Sequence, residues 1–227
     1  MLFIVPTRGR PDNARGLLNA WADTRTFAEL LLAVDFDDPE VNEYQRLKFQ
    51  LPEWAKLVVG PMHITQRGMV AALNHWALQT NHTHEHIGFM GDDHRPRTFG
   101  WDAHMAVDSM TYANDTIQGQ NLPTQVCMPV RWVYAMGKMC PQSLIHLYVD
   151  NYWRELGTRV GKLTYLSDVT IEHMHPVAGK AEWDDGYKRV NDGSVYAHDA
   201  DAYARYVNEG HLEEDVTAIL RSMRSGV

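Results

Sequence analysis

The sequence predicts an α/β protein with a mostly parallel central sheet and flanking helices. Short apolar runs alternate with helical spacings of apolar residues from residue 1 to about 112, the pattern of strands joined by covering helices. One run, Ile87 to Met90, stops abruptly at Gly91-Asp92-Asp93-His94. In an open α/β sheet ligands collect at the carboxyl ends of strands, so these acids are placed to meet a substrate.

The elements follow in order. Leu2-Phe-Ile-Val-Pro6 is an apolar strand, and Thr7-Arg-Gly-Arg-Pro-Asp12 is the polar loop after it. Asp12 or Asn13 caps a helix whose Ala14, Leu17, Leu18 and Trp21 share a face. Glu29 to Val34 is a second strand, ending in Asp35-Phe-Asp-Asp38, and Asp38-Pro39 starts a helix. Lys56 to Val59 is a third strand, and Thr65 caps a helix carrying Met69, Leu73 and Trp76. Residues 113–130 read as loop, Arg131 to Gly137 as a strand, and Asp150 to Gly157 as a short helix capped by Asp150. Lys162 to Leu166 and Val169 to His173 read as two strands split by Ser167-Asp168. The Gly- and Asp-rich stretch from Pro176 to Asp201 is expected to be loop, and Ala202 to Arg224 a final helix.

At 227 residues, 44% hydrophobic and 22% charged, the chain is expected to form one soluble globular domain. No apolar run has the length of a membrane span, and Met1 to Val5 is too short for a signal peptide. The two cysteines, Cys127 and Cys140, have no metal-type spacing, so a reducing, cytoplasmic setting is expected. The net charge is −8, of which residues 182–215 contribute −7 through ten acids against three bases. The remainder is nearly neutral, which neither suggests nor excludes a nucleic-acid partner. No GxGxxG or GxxxxGK[ST] follows the first strand, so neither dinucleotide nor Walker-type phosphate binding is signalled.

Adjacent carboxylates repel unless a cation or proton sits between them, and oxygen ligands of this kind suit Mg²⁺ or Mn²⁺ with a substrate's phosphates. The plain alternative for Gly91-Asp92-Asp93 is an acidic turn. His173-Met-His175 places two rings on one side of a strand, a ligand pattern. His82, His84 and His86 alternate in the same way or simply line a solvated loop.

Taken together, Pro6-Thr-Arg-Gly-Arg-Pro11, Asp35 at a strand end, Arg67 and Asn74 on the helix before the acidic turn, Gly91-Asp-Asp93, and Val149-Asp-Asn-Tyr-Trp-Arg-Glu-Leu-Gly157 ahead of His-ended strands resemble the GT-A glycosyltransferases of the large inverting family. The resemblance covers residues 2 to about 175. It implies a Rossmann-like nucleotide-sugar-binding half (1–112), an acceptor and catalytic half (113–178), and a loop with a C-terminal helix (179–227). A nucleoside diphosphate sugar would be the donor, with Pro6, Thr7, Arg8, Arg10, Asp35, Arg67, Asn74 and Asp92 around it. The family's Asp-x-Asp lacks its first acid here, leaving Asp93 as the metal ligand with His173 or His175, for Mn²⁺ or Mg²⁺. Asp150 would be the catalytic base of an inverting transfer, its charged form favoured at a helix start; otherwise it is only a cap. Trp101, Trp132 and Trp153 are candidates to stack an acceptor, and core packing is the alternative. The acceptor could be a glycan, lipid-linked sugar, protein or modified nucleobase.

Two rival classes stay open. Gly91-Asp-Asp-His94 with His173-Met-His175 would also suit a metal-dependent phosphoesterase, although Pro6-Thr-Arg stands where an Asp-x-His is usual. The missing first acid would permit a non-catalytic sugar-binding module derived from a transferase.

Overall fold

The computed structural model describes residues 1–60, 68–79 and 83–224. The first half alternates as its apolar runs require: β1 (Leu2–Thr7), α1 (Pro11–Thr24), β2 (Glu29–Val34), α2 (Val41–Lys48), β3 (Ala55–Val59), α3 (Met69–Leu78) and β4 (His86–Phe89). A short β5 (His94–Pro96) and α4 (Trp101–Met105) lead to β6 (Met110–Asn114), β7 (Val126–Pro129) and α5 (Val130–Met136). Then come α6 (Val149–Val160), β8 (Leu163–His173), α7 (Asp185–Val190), α8 (Gly193–Asn208) and α9 (His211–Arg224).

Among the described residues the strands form one sheet in the order β3-β2-β1-β4-β7-β6-β8-β5. The first four are mutually parallel, β7 runs against β4 and β6, and β6 is parallel to β8. Successive strand residues face opposite sides, and both sides are covered. Phe3 and Val5 pack with Leu30, Leu32 and Val34 against α1 and α2, whereas Leu2 and Ile4 pack with Leu31 and Ala33 on the face of α3, α5 and α6. Strands covered on both faces read as unbroken apolar runs, which is why β1 and β2 were visible in the sequence. No described helix is long and apolar enough to cross a membrane.

Several expectations need correction. Arg131 to Gly137 is not a strand but lies in α5 and its left-handed terminal Gly137 (φ 68°). The strand sits just upstream as β7, in the stretch expected to be loop, because Val126, Cys127 and Met128 are buried between β4 and β6. The two strands around Ser167-Asp168 are one strand, β8, with a register shift: Ala113 pairs with Leu166 but Asn114 with Thr170. Its last residues pair instead with β5, His94 opposite His173. Helix α6 runs beyond Gly157 to Val160, and Tyr148, at φ 63°, holds the cap position expected of Asp150. Asp38 lies ahead of α2 rather than at its start, accepting from Gly9 N–H (2.9 Å) and Glu40 N–H (2.7 Å). Arg10, not Asp12 or Asn13, precedes α1, with Pro11 in its first turn. The Asp-rich stretch is largely helical. Asp184 and Asp192 cap α7 and α8 by accepting from Tyr187 and Ser194 N–H, so acids that read as loop composition are helix starts. The expected cap Thr65 lies outside the described residues.

Candidate active site

Parallel strands present their carboxyl ends on one side, which gathers Thr7 from β1, Asp35 from just beyond β2, and Asp92 and Asp93 from the turn after β4. That turn needs Gly91: a Cβ there would lie 2.5 Å from Asp93 Oδ1 and 2.9 Å from His94 Nδ1. β8 brings His173 to the same place through its pairing with β5.

The two adjacent acids have different surroundings. Thr7 Oγ1 donates to Asp92 Oδ2 at 2.6 Å, and Arg10 Nη1 to Asp92 Oδ1 at 3.3 Å. Asp93 Oδ2 accepts from the Tyr187 hydroxyl at 2.8 Å and lies 3.4 Å from His173 Nε2, while Oδ1 is 3.3 Å from His94 Nδ1. Both acids are buried. Burial and the neighbouring charge of Asp93 push the Asp92 carboxyl up to about 6, against Arg10 and Thr7. Burial acts to raise Asp93 as well, but the contact with His173 overcomes it and holds Asp93 well below the carboxylate range. His173 reaches about 9 because Asp115 and Asp93 outweigh its burial, whereas burial and His173 keep His94 low.

Asp93, His94 and His173 each offer a ligand atom, all within 4.8 Å of one another. One carboxylate oxygen with imidazole nitrogens suits a first-row ion such as Mn²⁺ better than Mg²⁺, which prefers oxygen and water. His94 Nδ1 already accepts the Gly91 N–H at 3.1 Å, so Asp93 and His173 are the better donors. His175 lies next along, its ring 5.1 Å from that of His173 and 4.9 Å from that of Tyr187, and burial lowers its basicity.

Asp150 sits in the first turn of α6. Its side chain keeps part of its surface open to solvent, yet enough protein surrounds it that burial pushes the carboxyl up to about 7, Asp115 adding to the shift and His173 opposing it. Its loop is fixed from behind by Asp199, which accepts from the N–H groups of Ile145, His146 and Leu147 at 2.7–2.9 Å. Burial holds His146 down to about 4, within the fields of Asp93 and Asp199.

Other expected residues are placed differently. Pro6 lies within β1, opposite Ala33. Arg8 pairs with Asp37 (2.7 Å) and Asp35 (3.2 Å). Asn74 is not available to a nucleotide: its Oδ1 accepts from Met139 and Cys140 N–H and its Nδ2 donates to Cys140 O. Trp101, Trp132 and Trp153 are fully buried and offer no face to an acceptor. Trp101 packs edge-on to Phe3 and Trp21, and Trp153 against Phe89. Arg67 and His82 lie outside the described residues.

Three participants went unassigned in the sequence. Asp184, the cap of α7, and Tyr187 within it close over the site: Arg10 Nη2 donates to Asp184 Oδ1 at 2.9 Å, and the guanidinium lies 3.7 Å from the Tyr187 ring centre. No local signal marks Tyr187. Asp115 does carry one, an acid directly after a strand, which would have been readable had β6 been extended to Asn114.

No protein-family model matches the sequence, and no curated protein matches it. Solved structures do. A mannosyltransferase from Pyrobaculum calidifontis, in complex with GDP-Man and Mn²⁺, aligns over 100% of this chain and 75% of its own at 12% identity, with a TM-score of 0.61. TarS from S. aureus aligns over 92% of this chain and 43% of its own at 15% identity, TM-score 0.55. The 4-diphosphocytidyl-2C-methyl-D-erythritol synthase of Anaerococcus prevotii aligns over 88% and 94% at 10% identity, TM-score 0.55. The chain therefore has the GT-A-type fold of nucleotide-sugar glycosyltransferases, which a nucleotidyltransferase shares.

Proposed function

We propose that this protein is a metal-dependent glycosyltransferase that moves a sugar from a nucleoside diphosphate sugar to an acceptor hydroxyl with inversion. The observation that carries the reading is the cluster of Asp93, His94 and His173 at the carboxyl ends of the strands of a GT-A-type fold, their ligand atoms within 4.8 Å of one another. Asp93 is held ionised among imidazoles, and Asp150 is held near neutrality within the field of the same histidine. A divalent ion held by Asp93 and His173 would supply a Lewis acid for the leaving diphosphate. Thr7, Arg10 and Asp92 belong to the donor side, and Arg10, freed from Asp184, provides a cation for phosphate oxygens. Asp150 takes the acceptor hydroxyl's proton as that oxygen attacks the anomeric carbon. A base poised near working pH suits this task. Asp35, at the end of β2, faces the nucleoside end of the donor in this reading.

A thermal-shift screen of nucleoside diphosphates with and without Mn²⁺ tests the donor site, since a ligand of the folded state raises its stability. Turnover of a stabilising donor is then followed by product analysis. Release of nucleoside diphosphate with inverted anomeric configuration by NMR is expected. Retained configuration would remove the single-displacement mechanism, and release of inorganic pyrophosphate when a nucleoside triphosphate and a phosphorylated alcohol are supplied instead would make the protein a nucleotidyltransferase. Cleavage of simple phosphomonoesters without sugar transfer would favour a phosphoesterase.

A further inference from the structure

The Asp93–His173 pair has a third member behind it. Asp115 follows β6 and is 1% exposed. Its Oδ1 accepts three backbone N–H groups, from Ile117 (2.9 Å), Gln118 (2.7 Å) and Gly119 (2.9 Å). Its Oδ2 accepts the Thr124 hydroxyl at 2.9 Å and lies 3.9 Å from His173 Nδ1. The two residues are also tied through the backbone, His173 N–H donating to Asp115 O at 3.0 Å. The imidazole thus stands between two carboxylates, with Nε2 toward Asp93 and Nδ1 toward Asp115.

The geometry points to Asp115 as the positioning residue of the metal site, fixing the His173 tautomer that carries its proton on Nδ1 and leaves the Nε2 lone pair for a divalent cation. This inference rests on the proposed Asp93–His173 metal site and adds a residue to it. A carboxylate that accepts the second N–H of a ligating histidine sets the ring's orientation and raises its basicity as a ligand. Asp115 is suited to the task because its own position is overdetermined. Four donors lock the carboxylate, so its remaining acceptor direction toward His173 is fixed, and in the ligating ring the 3.9 Å approach would shorten to hydrogen-bond distance.

Asp115→Asn is the informative change. The amide oxygen can keep the three backbone donors, but the NH₂ group then occupies the Oδ2 position beside His173. It offers a donor where the ring needs an acceptor, and so favours the proton on Nε2, the tautomer that cannot ligate through that atom. Calorimetric Mn²⁺ titration of the wild type, Asp115→Asn, His173→Ala and the double variant closes a mutant cycle. Asp115→Asn is expected to weaken Mn²⁺ about 10–100-fold, and to weaken it by less than about two-fold once His173 is alanine, because the effect passes through that ring. An equal loss in both backgrounds, or none in the single variant, overturns the inference and leaves Asp115 a turn anchor. Should the Asn variant not fold, ¹⁵N NMR of wild-type imidazoles with Cd²⁺ decides the matter: a cation on His173 Nε2 with a proton on Nδ1 is expected, and the reverse arrangement overturns it. A wild type that binds no divalent cation would instead sink the metal site itself, and this inference with it.

Discussion

The turn after β4 and the start of α6 each present a carboxyl, and they are built in opposite ways. Asp93 is crowded with partners: Tyr187, His173 and His94 all lie within 3.4 Å of its oxygens. Asp150 has no hydrogen-bonding side chain or N–H assigned to its carboxyl among the described residues, and burial dominates its behaviour. Partners that carry or share positive charge lower a carboxylate's proton affinity, and desolvation raises it. One fold thereby favours the charged form of one acid, as a cation ligand requires, and the neutral form of the other, as proton transfer requires.

The largest expected effect breaks the contrast at Asp150. Asp150→Asn keeps the side chain's size and removes its basicity, so turnover should fall by about 10²–10⁴-fold while nucleoside diphosphate affinity stays within about two-fold by calorimetry. Near-normal turnover would leave Asp150 a helix residue only. The complementary change at the other acid, Asp93→Ala, should abolish the strengthening of nucleoside diphosphate binding by Mn²⁺. An unchanged metal dependence would show that the cation is held elsewhere.

A third expectation uses the same acid in folding. The Asp150 carboxyl stands at about 7 in the folded protein, against about 3.9 for an unfolded aspartate. Between these values the folded state binds the extra proton, so the wild type loses stability from this group as pH rises from about 4 to 7, and the loss persists above that. Asp150→Asn should therefore match the wild type near pH 4 and exceed it at pH 8. One pK unit is worth about 1.4 kcal/mol; since part of the side chain meets solvent, a gain of about 1–3 kcal/mol in urea unfolding is expected. Equal stability at both pH values would mean that the carboxyl is not displaced.

How much of this was legible in the sequence follows from which forces act locally. β1 to β4 declared themselves because strands covered on both faces are unbroken apolar runs, and the acids at their ends were visible for the same reason. β7 was hidden by the turn residues around it, including Pro123 and Pro129, although Val126 to Met128 is a buried run. Helix α5 was mistaken for a strand because Trp132, Val133 and Tyr134 have strand propensity, which tertiary packing overrode. At the site, Asp92 and Asp93 stood out by strand-end position, Asp93 was singled out by the family resemblance, and His173 by its spacing from His175. Asn74 and the three tryptophans failed because a family position or an aromatic side chain does not reveal which way the chain faces. Asp184 and Tyr187 depend on contacts across 174 and 94 positions of sequence, which no local pattern encodes.

The smallest effect sharpens the comparison from the crowded side. The Tyr187 hydroxyl is one of the partners that distinguish Asp93 from Asp150, and it belongs to α7, a helix of six residues. The hydroxyl donates to Asp93 Oδ2 at 2.8 Å with Met174 O also near, at 3.2 Å, so it both occupies an oxygen a cation would need and pins α7 over the site. Tyr187→Phe removes the hydroxyl and keeps the ring under Arg10. A net hydrogen bond is worth about 0.5–1.5 kcal/mol, so amide exchange across 185–190 should quicken by about two- to ten-fold in the free protein. If the hydroxyl competes for Asp93, Mn²⁺ should bind about two- to five-fold more tightly to the variant, the lower part of that same range. In the wild type, nucleoside diphosphate with Mn²⁺ should also alter exchange in α7, since Arg10 and Asp93 cannot serve a donor and the helix at once; unchanged rates would detach α7 from the donor site. Weaker Mn²⁺ binding by Tyr187→Phe would reverse the sign of the argument: the hydroxyl would then orient Asp93 for the cation, and the crowding around this acid would be preparation for a ligand rather than a substitute for one.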